Sequence, residues 1–449
     1  MVHQPTACAI RVPSPLRPRA TGPQFVLMRA SGPRFQGLTT DCSQRGHPFA
    51  RCSAMRPLLL AVFFASISAT AADWPNFRGP SHDNVSTEDS WTHTWPAEGP
   101  KKLWSAKVGT GFSSLSVSSG KVYTQGNDKD HDSVWCLDAA TGAQVWCHTF
   151  ASKLDPKYYA GGPSSTPTVH DGAVYTLSKR GLIHCLDATT GTVRWSHQVA
   201  DTLKPPSWGF ASSAVISGEL VFVNVGKAGL ALKRSDGTVA WSSGEGLPGY
   251  ASPVLFTRGG ITLAAMFGAE TLRAVEVATG TVRWELPWKT SYGENSPNPL
   301  ITADTLLVST GHGLGTSLFT LADGVPELRW NTTVLGNHLN TSVLFDGHYY
   351  GFDGRVNKDG GHLGCLDAAT GKELWSAPIR GSLIRAGNRL IIITLTGELI
   401  AAAAEPQAYR ELARTQALGG TCWTAPTLSD GRLYLRNAKG ELVCLDLRQ

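Results

Sequence analysis

No run of 18 apolar residues occurs anywhere in this 449-residue sequence, so no segment could span a bilayer as a mature helix. Charge is scarce too: Asp, Glu, Lys and Arg make up 17% of the chain, against 48 Gly and 26 Pro. That balance excludes a helical bundle and predicts many short strands joined by tight turns. Neither Gly-x-Ser-x-Gly nor His-Glu-x-x-His occurs, and the histidines read as scattered single residues, so the common hydrolase sites are missing. The formal charge of +5 is also misleading. Residues 1 to 72 hold eight Arg, no Lys and one acid, Asp41, which leaves 40 − 8 = 32 basic against 35 − 1 = 34 acidic residues in 73 to 449. With a net −2 over that stretch, a nucleic-acid partner is not expected.

The basic charge belongs to a segment with a different job. Met55-Arg56-Pro57 precedes the apolar run Leu58 to Ala65, and the small residues Ser66 to Ala72 follow, the order of a secretory signal peptide. Such a signal works from an N-terminus, so translation is expected to start at Met55, with residues 1–54 a non-native or disordered extension, 55–72 the signal and 73–449 the mature protein. A periplasmic or secreted location follows. No Cys trails the apolar run, so no lipid anchor is expected.

Six cysteines remain in the mature stretch. Cys136, Cys185, Cys365 and Cys444 all stand just before Leu-Asp in a repeated phrase, where a small buried hydrophobe is wanted. Only Cys136 and Cys147, on two arms of one hairpin, are close enough in sequence to suggest a disulfide, and that pairing stays open.

The repeated phrase organises everything else. Cys136-Leu-Asp-Ala-Ala-Thr-Gly142 with Trp146 returns as Cys185 to Gly191 with Trp195 and as Cys365 to Gly371 with Trp375, with weaker copies ending in Trp241, Trp284 and Trp330. From Trp146 onward the tryptophans recur every 43 to 49 residues, a period that marks a solenoid, a propeller or an array. Each phrase reads as a strand, a turn whose Gly can take positive φ, and a second strand ending in a ring. A further hairpin lies upstream of each, turning at pairs such as Ser119-Gly120 and Asp430-Gly431. Eight units of four strands result, the composition of propeller blades. The last unit stops after Leu442 to Asp446, while Lys102 to Ser105 looks like an orphan fourth strand, so pairing the two should close the ring and remove two open edges. The tryptophans are then inter-blade packing. Unit seven is degenerate: Leu412 stands where Trp is expected, and Glu405 to Arg414 is compatible with a helix.

With Leu-Asp-Ala-x-Thr-Gly-x3-Trp repeated around a ring, the chain resembles the PQQ-like β-propeller repeat family, and the opening Asp73-Trp-Pro-Asn-Phe-Arg-Gly-Pro80 resembles the start of its secreted members. The resemblance implies an all-β eight-bladed propeller. It implies activity less clearly, because the family includes quinoprotein alcohol dehydrogenases and the non-enzymatic BamB-type assembly factor. The dehydrogenases imply PQQ with Ca²⁺, a carboxylate base and often an adjacent cysteine pair; no Cys-Cys pair occurs here, nor a Cys-x-x-Cys-His for haem.

Residues just before each innermost strand should face the channel, which nominates Trp208, Tyr250, Tyr292, Glu294, Asn295, His338, Asn340 and Trp423 as ligand contacts. Glu294 with Asn295 and Asn298 forms the best oxygen-ligand cluster, yet Pro297 and Pro299 make turn-shaping and hydrogen-bond capping the plainer reading. Asp128, Asp130 and Asp132 have the alternation of a Ca²⁺ loop, but Ser133 replaces its Gly and Ala139 its bidentate Glu, so a solvated hairpin is the plainer reading. The function expected is a binding or scaffolding module holding an envelope protein or a small ligand, with a PQQ-dependent oxidoreductase as the alternative. N-terminal sequencing of the exported protein should begin near Asp73; recovery of a mature chain that still contains Arg11 to Arg51 would refute the start at Met55.

Overall fold

Each Asp-x-x-Thr-Gly turn builds itself from local hydrogen bonds. Asp138 Oδ1 accepts from the Thr141 N–H and the Thr141 hydroxyl, both at 2.8 Å, and Asp367 repeats the arrangement with Thr370. These donors hold the carboxyls of Asp138 and Asp367 below their usual range. The glycine that follows takes positive φ, +72° at Gly142 and +71° at Gly371, where a Cβ would be strained. Upstream hairpins turn through pairs of residues with positive φ, such as Asp346 at 45° and Gly347 at 73°, the twist that two-residue hairpins need.

The computed structural model describes residues 72–449 apart from Asp359. The expected N-terminal extension and almost all of the signal segment therefore lie outside the described residues. Eight antiparallel four-stranded sheets follow one another as blades. Blade 1 runs from its inner strand Ser116–Ser118 through Lys121–Asp128 and His131–Asp138 to Gln144–Ala151. Blades 2 to 7 begin at Thr168, Val215, Val254, Leu300, Val343 and Gly381. Blade 8 takes three strands from the C-terminal end, Thr427–Ser429, Arg432–Arg436 and Glu441–Asp446, and its outer strand, Lys102–Lys107, from the other end. Trp104 pairs with Cys444, and Lys102 with Leu445, so the ring closes as expected.

Blades are joined by a repeated contact between an indole and a turn. Trp104 Nε1 donates to the Ala139 carbonyl at 3.1 Å, Trp146 to Ala188, Trp195 to Arg234, Trp241 to Val277, Trp330 to Ala368 and Trp375 to Glu405. Each bond runs from one blade to the turn of the next. The same turns press their glycine on the ring: a Cβ at Gly142 would stand 2.6 Å from Trp104, and at Gly191 2.6 Å from Trp146.

Blade 7 departs from the expectation twice. Ala401 pairs with Ala413 and Ala402 with Glu411, so the bulge falls at Leu412 and Ala413, not Leu412, takes the tryptophan position. No helix forms over Glu405 to Arg414; Pro406 follows a turn position that Trp375 caps, and Glu411–Gln416 is the outer strand. Trp91, only 1% exposed, belongs to the buried cluster against which Ala413 packs, and it bridges to Arg448 while the Thr92 N–H donates to Leu447 O. A ring from the N-terminal segment thus serves the joint whose own blade lacks one.

That segment also crosses the innermost strands. Trp74 exchanges two backbone hydrogen bonds with Val117 of blade 1, Pro75 O accepts from Val169 of blade 2, and Val85–Ser86 pairs in parallel with the inner strand of blade 7. It covers edges that would otherwise stay unpaired. Cys136 and Cys147 are free thiols. Cys136 is registered with Trp146 and Trp135 with Cys147, so the two sulfurs lie on opposite faces of the sheet. No helix among the described residues is long and apolar enough to cross a membrane.

Trp104→Ala removes both the ring and the donor from the closing joint and should cost about 3–5 kcal/mol. Urea denaturation measures this directly, and a loss below about 1 kcal/mol would show that the ring is held shut by something else.

Candidate functional site

The chain enters each inner strand through a small polar residue, and these residues hold hands around the channel. The Ser114 N–H donates to Thr166 Oγ1 at 2.9 Å, Thr166 N to Ser213 Oγ at 2.9 Å, and Ser213 N to Ser252 Oγ at 2.9 Å. Ser252 N then donates to Asn298 Oδ1 at 3.1 Å, and Asn298 N to Thr341 Oγ1 at 3.0 Å. All six are buried, so this belt satisfies backbone groups that water cannot reach and fixes the radius of the channel mouth. Asn298, whose expected role is turn-shaping and hydrogen-bond capping before that of an oxygen ligand, is a belt member.

Above and inside the belt lies a cavity of about 220 Å³. Trp208, Tyr250, Glu294, His338, Asn340 and Trp423 all line it, as do Phe112, Tyr159 and Arg355. Phe112 stacks on Trp423 with ring centroids 4.9 Å apart and lies 5.6 Å from Tyr159. Trp208 and Tyr250 meet at 5.7 Å, and the Trp208 N–H donates to the Tyr250 hydroxyl at 3.4 Å. Burial raises the Tyr159 and Tyr250 hydroxyls, which therefore stay protonated at neutral pH. Phe77, Arg78 and Asn84 of the N-terminal segment line the same cavity, and that segment bonds to the inner strands past the belt, Trp74 with Val117 and Asn84 O with the Arg385 N–H.

Two nominated residues do not reach the cavity. Tyr292 is 76% exposed, with φ +69° in the short 3₁₀ turn Ser291–Gly293, and its ring only edges His312. Asn295 is fully buried. Its Nδ2 donates to the Gly268, Ala269 and Trp288 carbonyls, and its Oδ1 accepts from Thr290, so it locks a loop. The three aspartates of the blade 1 hairpin do not converge either: Asp132 is buried and accepts from Asn127 Nδ2 at 2.7 Å, while Asp130 accepts from the Leu154 N–H.

Glu294 has partners that sequence reasoning missed. His312 Nε2 lies 2.9 Å from its Oε2, and His338 Nε2 stands 3.0 Å from its Oε1, at ion-pair distance but off hydrogen-bonding angle. Burial opposes ionisation of Glu294, and the two imidazoles outweigh it, holding the carboxyl below its usual range. Donor atoms of this trio lie within 4.8 Å of one another, the one such group found among the described residues. The Val356 N–H donates to His338 Nδ1 at 3.2 Å, which assigns the ring proton to Nε2, facing Glu294. Ligation of a metal through that Nε2 would turn Nδ1 into a donor against the Val356 N–H. The trio is a carboxylate pinned by two imidazoles.

A calcium-held quinone does not fit these residues. Ca²⁺ takes about six to eight oxygens. Among the described residues Glu294 is the only acid lining the cavity and faces imidazole on both oxygens, and the side chains of Asn295 and Asn298 are bonded to protein groups.

Comparisons with known proteins agree on the fold. The family model PQQ_2, outer membrane protein assembly factor BamB, matches residues 130–377 and 356–449. No curated protein matches. Among solved structures, BamB from Moraxella catarrhalis is 17% identical, with a TM-score of 0.58 over 77% of this chain and 97% of its own. Quinohemoprotein alcohol dehydrogenase from Comamonas testosteroni is 15% identical, with a TM-score of 0.62 over 84% of this chain and 81% of its own. Quinohemoprotein alcohol dehydrogenase ADHIIG from Pseudomonas putida HK5 is 14% identical, at 0.59 over 84% and 80%. At these identities the likeness is one of fold.

Burial lowers the pKa of His312 below 6.5, with Glu294 opposing, and brings those of His82 and His184 to about 4. A histidine depressed in the folded state contributes stability in full above its unfolded value near 6.5 and loses it as pH falls toward the folded value. The protein should therefore weaken steadily below pH 6.5, and His312→Gln should flatten the upper part of that decline in calorimetry. A variant curve parallel to the parent's would contradict this.

Proposed function

We propose that this chain, which belongs to the PQQ_2 family described as outer membrane protein assembly factor BamB, is an envelope propeller that binds a small organic ligand in its channel. One observation carries the reading: the chain's own N-terminal segment crosses the inner strands and lines, together with the rings of Phe112, Trp208, Tyr250 and Trp423, one cavity on the channel. A flat face would suit a protein partner; a concave cavity that sets aromatic rings beside fixed polar and charged side chains suits retention of a small molecule. The fixed Glu294 carboxylate and the protonated tyrosines supply orientation. The expected export signal and the family description both support an envelope location, periplasmic or secreted.

The alternative, a PQQ-dependent oxidoreductase, lacks the oxygen ligands described above. Two titrations decide. 2-Naphthamide, a neutral two-ring probe, should quench tryptophan fluorescence saturably, and Trp423→Ala should weaken its binding about tenfold, as expected for loss of a stacking wall. Absence of saturable binding would overturn the pocket reading. Addition of PQQ and Ca²⁺ should give no alcohol-dependent dye reduction; turnover would make the protein an enzyme.

A further inference from the structure

The N-terminal segment that crosses the inner strands carries a charge with no partner among the described residues. Arg78 is 3% exposed, and its Nε and both Nη atoms are buried without a hydrogen-bond partner among the described residues. Burial pushes its pKa down to about 10, which still leaves the guanidinium protonated at neutral pH. Asp83 acts on it only at a distance, since its Oδ1 already accepts from the Val85 N–H. Asn84, which lines the same cavity, also has a buried Oδ1 without a partner. Buried cations are normally paired, because an uncompensated one is strongly destabilising.

The backbone holds Arg78 in this position at a conformational cost. Arg78 has φ +69°, Gly79 +83° and Asn84 +63°, and the turn is closed by the Asn84 N–H donating to Arg78 O at 2.9 Å. The ring of Trp74 lies directly beneath, so that a Cβ at Gly79 would stand 3.0 Å from it. Left-handed residues packed this tightly persist only where the surroundings hold them, and they cluster at binding sites.

Among the described residues no acid of the cavity is free to serve as the partner: Glu294 is the one carboxylate lining it, and both its oxygens face histidines. Arg355 adds a second guanidinium to the same lining. The pocket therefore combines an apolar, ring-lined mouth with an electropositive interior, the inverse of a site for a cationic ligand.

We infer that Arg78 is the anion anchor of the channel and that the ligand is an organic carboxylic acid. Its carboxylate meets the planar guanidinium and its aromatic or apolar body lies against the rings of Phe112 and Trp423. The fork of the guanidinium matches a carboxylate in two parallel hydrogen bonds, which a Lys could not reproduce. This inference rests on the small-molecule reading above and specifies the chemical class that the pocket takes.

The test compares 2-naphthoate with 2-naphthamide, which share a ring system and differ in charge. The full chain should bind the naphthoate about 10- to 100-fold more tightly, the range of a charge-assisted hydrogen bond. Arg78→Gln should abolish that preference while leaving naphthamide binding in place, and Arg78→Lys should restore only part of it. Arg78→Met should raise the melting temperature of the ligand-free protein, because it removes an unpaired buried charge. Equal affinity for the two probes in the parent would overturn the anion anchor and leave the pocket reading intact, as would a preference that survives Arg78→Gln. Failure of both probes would overturn the pocket reading and the anchor with it. Should Arg78→Gln fail to fold, the comparison within the parent decides alone.

Discussion

The indole of one blade lying on the turn of the next is the contact from which the rest of the molecule follows. It explains why the Asp-x-x-Thr-Gly phrase and the tryptophan must travel together along the chain. The aspartate shapes the turn, the glycine lets the ring approach, and the freed carbonyl takes the indole N–H. Because the bond runs between blades and not within them, no single repeat is complete by itself. The ring must therefore close, and it does so by lending Lys102–Lys107 to the last blade. Where blade 7 has lost its ring, Trp91 comes from outside the repeat to bury against the same cluster.

Closing the ring creates a channel, and the chain then governs what the channel is. The belt from Ser114 to Thr341 sets the mouth, and the segment from Trp74 to Ser86 crosses the inner strands past it. Crossing with an arginine-bearing turn is a costly choice if the purpose is only to cover strand edges, since any apolar residue would cover them without a buried charge. The same expenditure makes sense if that turn recognises something. Likeness to BamB and to a quinohemoprotein alcohol dehydrogenase is one of fold, and the fold alone does not choose between the kinds of protein it carries.

Several of these residues could be read in the sequence by position. Trp423, Trp208 and Tyr250 precede inner strands, and the channel is where such positions point. Phe112 obeys the same rule: Gly109-Thr-Gly-Phe112 has the spacing of Gly420-Thr-Cys-Trp423, a signal present but unused. His312 carried no such signal. It sits between the second and third strands of blade 5, in the hairpin Gly311-His-Gly313, and meets Glu294 only because blades 4 and 5 stand side by side. Asn295 was misjudged for the opposite reason: it precedes an inner strand, but three carbonyls claim its amide. At Leu412 the bulge shifts the register by one residue, so the tryptophan position falls to Ala413.

The amino-acid sequence alone determined the number of blades, the turns that make them, the ring contacts between them and the strand that closes the circle. All of these depend on short-range patterns repeated at a regular period, so copies confirm one another. The tertiary structure decided what occupies the axis. The path of residues 73 to 92, the pinning of Glu294 and the isolation of Arg78 arise from groups far apart in the chain and present once. A single long-range contact has no second copy against which a pattern can be read, and the burial that leaves Arg78 without a partner among the described residues is a property of the folded surroundings.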